Sequence, residues 1–252
     1  MARSYARRAH VERPRVRIDD SGESRSLVID ETFASFYRRG EVVTHCVWDA
    51  IAAPILWLPP NRRRRILILG LGGGSVARLA RALAPDAEIV GVELDADVVR
   101  LARERLDLDE LDVKVEIEDA LRWLERAEAE AAGGRAQSRR ESQFDIILED
   151  VFIGVGDRVH KPDWIPEPGH RLAFARLARG GVFVSNTLDE HARVAKAIRS
   201  HFPALLSIQT EDYDNHVLVG GGAGLSGTAL RRRVADSPIL RESLEILSFR
   251  SR

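Results

Sequence analysis

The chain has 252 residues, enough to bury one large core or a main domain with a small appendage. Charged residues make up 31% with a formal net charge of −1, so no global field recruits nucleic acid; the single cysteine, Cys46, excludes disulfide scaffolds and cysteine metal clusters and fits a reducing compartment. No apolar run reaches transmembrane length and the arginine-rich start lacks the apolar core of a signal peptide, so the expectation is a cytoplasmic protein with no membrane or nucleic-acid partner.

Residues 1–12 are basic, lack apolar periodicity and read as a mobile tail. Residues 16–18 and 26–29, separated by the turn-forming Asp19-Asp20-Ser21-Gly22, read as a small β-hairpin unit, which divides the chain into 1–45 and 46–252. Val47, Ile51, Pro54, Ile55 and Leu58 fall on one helical face, with a kink at Pro54, and Pro59-Pro60-Asn61 ends that helix. The arginine run 62–65 reads as a solvated loop.

Ile66-Leu67-Ile68-Leu69 is then a four-residue apolar run, the pattern of a strand buried on both faces. Gly70-Leu71-Gly72-Gly73-Gly74-Ser75 follows, and Val76, Leu79, Ala80 and Leu83 give the next segment a helical apolar face. Strand, glycine turn and helix form a cradle in which backbone N–H groups approach a ligand, and such a cradle predicts an acid about 20 positions on, at the next strand end, to hold ribose hydroxyls. Glu93, ending the run 89–93, meets that spacing, so the expected guest is a nucleoside or nucleotide.

Further along, 96–106 reads as an amphipathic helix, 113–117 as a strand, and Glu118-Asp119-Ala120 as the opening of a helix to about 131. A polar loop at 132–138 reads as mobile. Residues 144–148 form a buried strand ending in Glu149-Asp150, and 151–169, rich in Gly, Pro and Asp and carrying Trp164, reads as a loop over the site. A helix at 171–178, a strand at 181–185 and a helix at 190–202 follow, then two strands at 205–210 and 216–219 close enough for a hairpin; the last thirty or so residues read as surface helix. The alternation predicts an α/β fold, a Rossmann-like doubly wound parallel sheet with its ligands at the carboxyl ends of the strands, where Glu93, Asp119 and Asp150 fall. The terminal antiparallel hairpin is methyltransferase-type rather than typical of dinucleotide-binding domains.

With these residues in place, 16–220 resembles the spermidine synthase family, aminopropyltransferases on the class I S-adenosylmethionine-dependent methyltransferase fold with a small N-terminal β domain. Gly70, Gly72, Gly73 and Gly74 match its nucleoside loop, Glu93 its ribose-binding acid, Asp119 and Ala120 its adenine-contacting pair, and Asp150 its catalytic aspartate. The resemblance implies decarboxylated S-adenosylmethionine or S-adenosylmethionine as cofactor, no metal, a small-molecule amine acceptor and a role in polyamine biosynthesis; a homodimer is compatible with it. Glu149 and Trp164 are candidate acceptor contacts. The seven histidines show no metal-ligand spacing.

The sequence also departs from the family. Gly73 stands where the loop usually carries an aspartate for the cofactor amine, Ile153 where a second aspartate contacts the acceptor, Ala34 in place of a glutamine, and Cys46-Val47-Trp48 in place of a Tyr-His-Glu motif. A buried ammonium needs carboxylates, and Asp157, Asp163 and Glu167 are the available substitutes. Two alternatives therefore stay open: a methyltransferase of unknown substrate, although Ile68 replaces the acid that many of these place before the loop, and a non-catalytic nucleoside-binding protein.

Overall fold

The computed structural model describes residues 15–133 and 143–251, with side chains for 15–129 and 143–251. Most of the loop expected at 132–138, and the tail expected at 1–12, lie outside these residues.

Eight strands form one sheet in the order β11-β9-β10-β8-β7-β4-β5-β6, comprising β4 (Arg65–Leu69), β5 (Glu88–Glu93), β6 (Val113–Ile117), β7 (Phe144–Glu149), β8 (Leu177–Thr187), β9 (Ala204–Thr210), β10 (His216–Gly221) and β11 (Leu247–Ser251). The five strands from β6 to β8 are mutually parallel, and β10, β9 and β11 continue the sheet antiparallel. Alternate residues of β4 and β7 enter separate cores: Ile66, Ile68, Ile146 and Leu148 pack on one face, Leu67, Leu69 and Ile147 on the other. That two-sided burial is the physical reason both strands read as unbroken apolar runs. The chain leaves β4 toward β5 on one side and reaches β7 on the other, which opens a crevice at their carboxyl ends.

Three expectations are corrected. The N-terminal unit is a three-stranded antiparallel sheet, β1 (Val16–Asp20), β2 (Ser24–Ile29) and β3 (Thr32–Arg38), rather than a hairpin. Its β2–β3 turn is Asp30-Glu31, both at positive φ (47° and 62°), a two-residue turn without the glycine that would have announced it. The end of the chain is a helix, Gly227–Ala235, followed by the edge strand β11; Leu247-Ser248-Phe249-Arg250-Ser251 alternates with the period of a half-buried strand. Strand β8 starts at Leu177, which shortens the preceding helix to Gly169–Ala175.

The expected kink at Pro54 is a change of helix type, from α over Val47–Ala52 to 3₁₀ over Ala53–Trp57. The arginine run is built into the fold: Arg62 donates to the carbonyl of Arg179, Arg63 to those of Leu58 and Leu83, and Arg65 pairs with Glu88. Among the described residues no helix is long and apolar enough to cross a membrane.

The small sheet grips the glycine loop. Ser75, first residue of the helix Ser75–Leu83, exchanges hydrogen bonds with the backbone N–H and C=O of Phe36, both at 2.9 Å, and the Gly73 N–H donates to Ser35 Oγ at 2.6 Å.

Candidate active site

A cavity of about 780 Å³ lies at the carboxyl ends of β4, β5 and β7, roofed by the β2–β3 turn and the 151–164 segment. Gly70, Gly72, Glu93, Asp119, Ala120, Asp150 and Trp164 line it, so residues far apart in sequence meet in one place. Gly73, Gly74 and Glu149 do not line it.

The loop glycines have distinct physical reasons. Gly70 has φ +82°, and a Cβ there would stand 2.5 Å from the Asp150 carbonyl oxygen, so β4 and β7 can approach only without a side chain. At Gly73 a Cβ would meet Leu106 Cδ1 at 2.5 Å and Ser35 Cβ at 2.8 Å. The aspartate of the family's loop has no room here, because Ser35 of the small sheet occupies it. Gly74, at φ +91°, turns the chain into the helix that follows.

Glu93 is half-buried. Its Oε2 accepts from the Gly72 N–H at 2.8 Å and its Oε1 from the Asp95 N–H at 3.1 Å. Burial pushes its carboxyl above the ordinary range, and the N–H groups of Gly72 and Leu94 hold part of that rise back. Each oxygen retains lone-pair capacity for a hydroxyl. Asp119 Oδ1 accepts from the Arg122 N–H at 3.0 Å and so caps the helix Ala120–Gly133 while facing the cavity.

Asp150 follows β7, and its backbone N–H donates to the Leu69 carbonyl at 2.8 Å. Asn186 Nδ2 donates to Asp150 Oδ1 at 2.8 Å, Trp48 supplies a further side-chain hydrogen bond, and Asn215 Nδ2 donates to Asn186 Oδ1 at 3.0 Å. Burial lifts the Asp150 carboxyl to about 6, helped by the neighbouring Glu149 charge and opposed by Lys161, Asn186 and Trp48. A carboxyl poised there exchanges protons near neutral pH.

Glu149 points the other way, into a sealed network. Its Oε1 accepts from Lys161 Nζ at 2.6 Å and from the Val151 N–H at 2.7 Å; its Oε2 accepts from Ser185 Oγ at 2.6 Å and lies 3.2 Å from His170 Nε2. Burial works against its charge, but the Lys161 ammonium and the His170 hydrogen bond outweigh it and pull the carboxyl down to about 2. Lys161 also donates to the Val151 carbonyl at 2.9 Å, so the network ties the loop over the site to the end of β7. The loop is pinned on its other side too, where the Gly156 N–H donates to the Asp30 carbonyl at 2.9 Å.

Trp164 both lines the cavity and anchors the loop, since a Cβ at Gly169 would stand 2.4 Å from its ring. Asp157, Asp163 and Glu167 are exposed and away from the cavity wall. Asn186, Trp48, Lys161 and Ser35 were not among the sequence candidates. Asn186 had a signal, lying like the others at the carboxyl end of a strand; Lys161 and Ser35 had none, because their partners are 12 and 38 residues away. Among the described residues no cluster of three or more His, Cys, Asp or Glu could hold a metal ion.

No family model matches the chain. It is 34% identical over 201 residues to a polyamine aminopropyltransferase of Mycobacterium tuberculosis, covering 74% of this chain and 34% of that protein. It is 28% identical over 144 residues to polyamine aminopropyltransferase 1 of Hyperthermus butylicus, covering 55% of this chain and 44% of that protein. The chain thus spans less than half the length of these curated relatives. In fold it is similar to a probable spermidine synthase from Corynebacterium glutamicum, with a TM-score of 0.67 at 20% identity over 94% of this chain and 87% of the other. It is also similar to human methyltransferase-like protein 13, solved in complex with SAH, with a TM-score of 0.57 at 23% identity over 79% and 90%. By sequence the chain is thus similar to polyamine aminopropyltransferases over part of their length, and its fold is similar to those of a probable spermidine synthase and a methyltransferase.

Proposed function

We propose that this chain is an aminopropyltransferase-like enzyme that binds an adenosyl-sulfonium cofactor and carries an aminopropyl group from decarboxylated S-adenosylmethionine to an amine. The carrying observation is Asp150: a carboxylate on the cavity wall, oriented by Asn186 and Trp48, across the strand switch from Glu93 and Asp119.

The cavity fits a nucleoside. Glu93 offers carboxylate lone pairs at a strand end, Asp119 and Ala120 sit at the next, and Gly70 and Gly72 present bare backbone to the cavity. When bound, decarboxylated S-adenosylmethionine supplies a carbon bonded to sulfonium: the acceptor lone pair forms the N–C bond while the C–S pair stays on sulfur, leaving methylthioadenosine. Asp150 receives the proton the acceptor nitrogen sheds, with Asn186 holding Oδ1 in place. The Lys161 network holds the loop over the site to the end of β7. The remaining rate enhancement comes from alignment.

Methyl transfer from intact S-adenosylmethionine is the second reading, favoured by Gly73, whose position leaves no carboxylate for the aminopropyl ammonium. Calorimetric titration with the decarboxylated and intact cofactors, with methylthioadenosine as reference, separates the two. A preference of about tenfold or more for the decarboxylated form is expected, and an equal preference for the intact form overturns aminopropyl transfer.

A further inference from the structure

Five carboxylates line the cavity, and all five have partners in the protein. Asp30 and Asp95 are both paired with the Arg15 guanidinium, Glu93 binds two backbone N–H groups, and Asp119 caps its helix. Asp150 is the one that the proposed transfer assigns to the acceptor, and its partners are neutral donors: Asn186, then Asn215 behind it, and Trp48. Around it the wall is aromatic and apolar. Phe33 stands edge-to-face against Trp48 with ring centroids 5.0 Å apart; Phe152 and Ile153 lie two and three residues past Asp150, and Tyr213 completes the wall. Phe33 and Ile153 stay 39% and 45% exposed, large apolar surfaces presented to whatever enters. Lys161 Nζ, ion-paired with Glu149, lies 3.9 Å from the Phe152 ring centroid behind this wall.

We propose that the acceptor subsite selects a flat aromatic monoamine, whose ring packs on Phe33 and Trp48 and whose one nitrogen meets Asp150, and that it rejects aliphatic diamines and longer polyamines. A diamine brings a second ammonium that must be paired when it leaves water, and where the family's second aspartate would meet it this wall offers Ile153. An aromatic ring replaces water with edge-to-face contacts of the kind Phe33 and Trp48 already make. The transferred group and the balance of the step are those given above, so this inference rests on the transferase reading.

The test is calorimetry on the full chain in two stages. Methylthioadenosine and S-adenosylhomocysteine are titrated first, and binding of neither overturns the transferase reading and this proposal with it. With the tighter nucleoside at saturation, phenethylamine and putrescine are then compared. The expected result is at least about tenfold tighter binding of phenethylamine, and equal or reversed affinities overturn the proposal while leaving the nucleoside reading intact. Ile153→Asp, at an exposed position, is expected to move that ratio about tenfold toward putrescine; an unchanged ratio also overturns the proposal.

Discussion

Asn186 Nδ2 stands 2.8 Å from Asp150 Oδ1, and Asn215 holds Asn186 from behind at 3.0 Å, so the carboxylate is set by a chain of two amides. The Asn186 hydrogen bond favours the charged form of Asp150. Asn186→Leu removes that donor at nearly constant volume. The expected outcome is a fall in turnover of about tenfold or more and an acidic limb of the kcat/KM profile displaced above its wild-type midpoint, as a positioning residue requires. A variant with lower turnover and an unmoved midpoint would show that Asn186 acts only through packing.

With the Asp150 carboxyl at about 6, kcat/KM should rise as pH increases through about 6, where the base ionises. Asp150→Asn should abolish that limb and lower turnover by about 10²- to 10⁴-fold. The stability sign is opposite. Because the folded value lies above the ordinary 3.8, the group's contribution is full below that value and is lost as pH rises through about 6. At pH 7 the Asn variant, which carries no buried charge there, is therefore expected to gain on the order of 2 kcal/mol in urea unfolding.

Lys161 is 1% exposed and Glu149 is fully buried, so removing either partner strands a charge. Lys161→Met should cost about 3–5 kcal/mol, and the double variant Lys161→Met/Glu149→Leu should recover most of that loss, measured by denaturant unfolding. Glu149 titrates at about 2, below its ordinary 4.5, so its contribution is present above 4.5 and is lost as pH falls toward 2. The wild type should show this acid-side loss and the double variant should not.

Restoring the family's aspartate at position 73 is expected to fail. The Cβ contacts with Leu106 and Ser35, at 2.5 and 2.8 Å, predict that Gly73→Asp destabilises by about 1–3 kcal/mol without tighter binding of decarboxylated S-adenosylmethionine. Ser35→Ala, which leaves the Gly73 N–H without its partner, should cost about 1–3 kcal/mol in thermal or urea unfolding. A stable Gly73→Asp protein with improved binding would contradict the packing described here.

The sequence by itself determined the parallel part of the fold and most of the residues that meet in the cavity at its carboxyl edge. Buried strands announce themselves as apolar runs, as at 66–69, a glycine turn announces a backbone constraint, and Glu93, Asp119 and Asp150 each sit at or just past the end of such a strand. The edge strand β11 escaped because it is short and half-solvated, and the third N-terminal strand because its turn is Asp30-Glu31 rather than glycine. Only the tertiary structure decided the direction of each carboxylate. Glu149 and Asp150 are adjacent, and strand alternation sends one into a sealed pair with Lys161 and leaves the other on the cavity wall. Tertiary structure alone also placed Ser35 in the room of a missing aspartate and Asn186 and Trp48 on Asp150, because these contacts cross 38, 36 and 102 residues of sequence, and local periodicity carries no information over such distances.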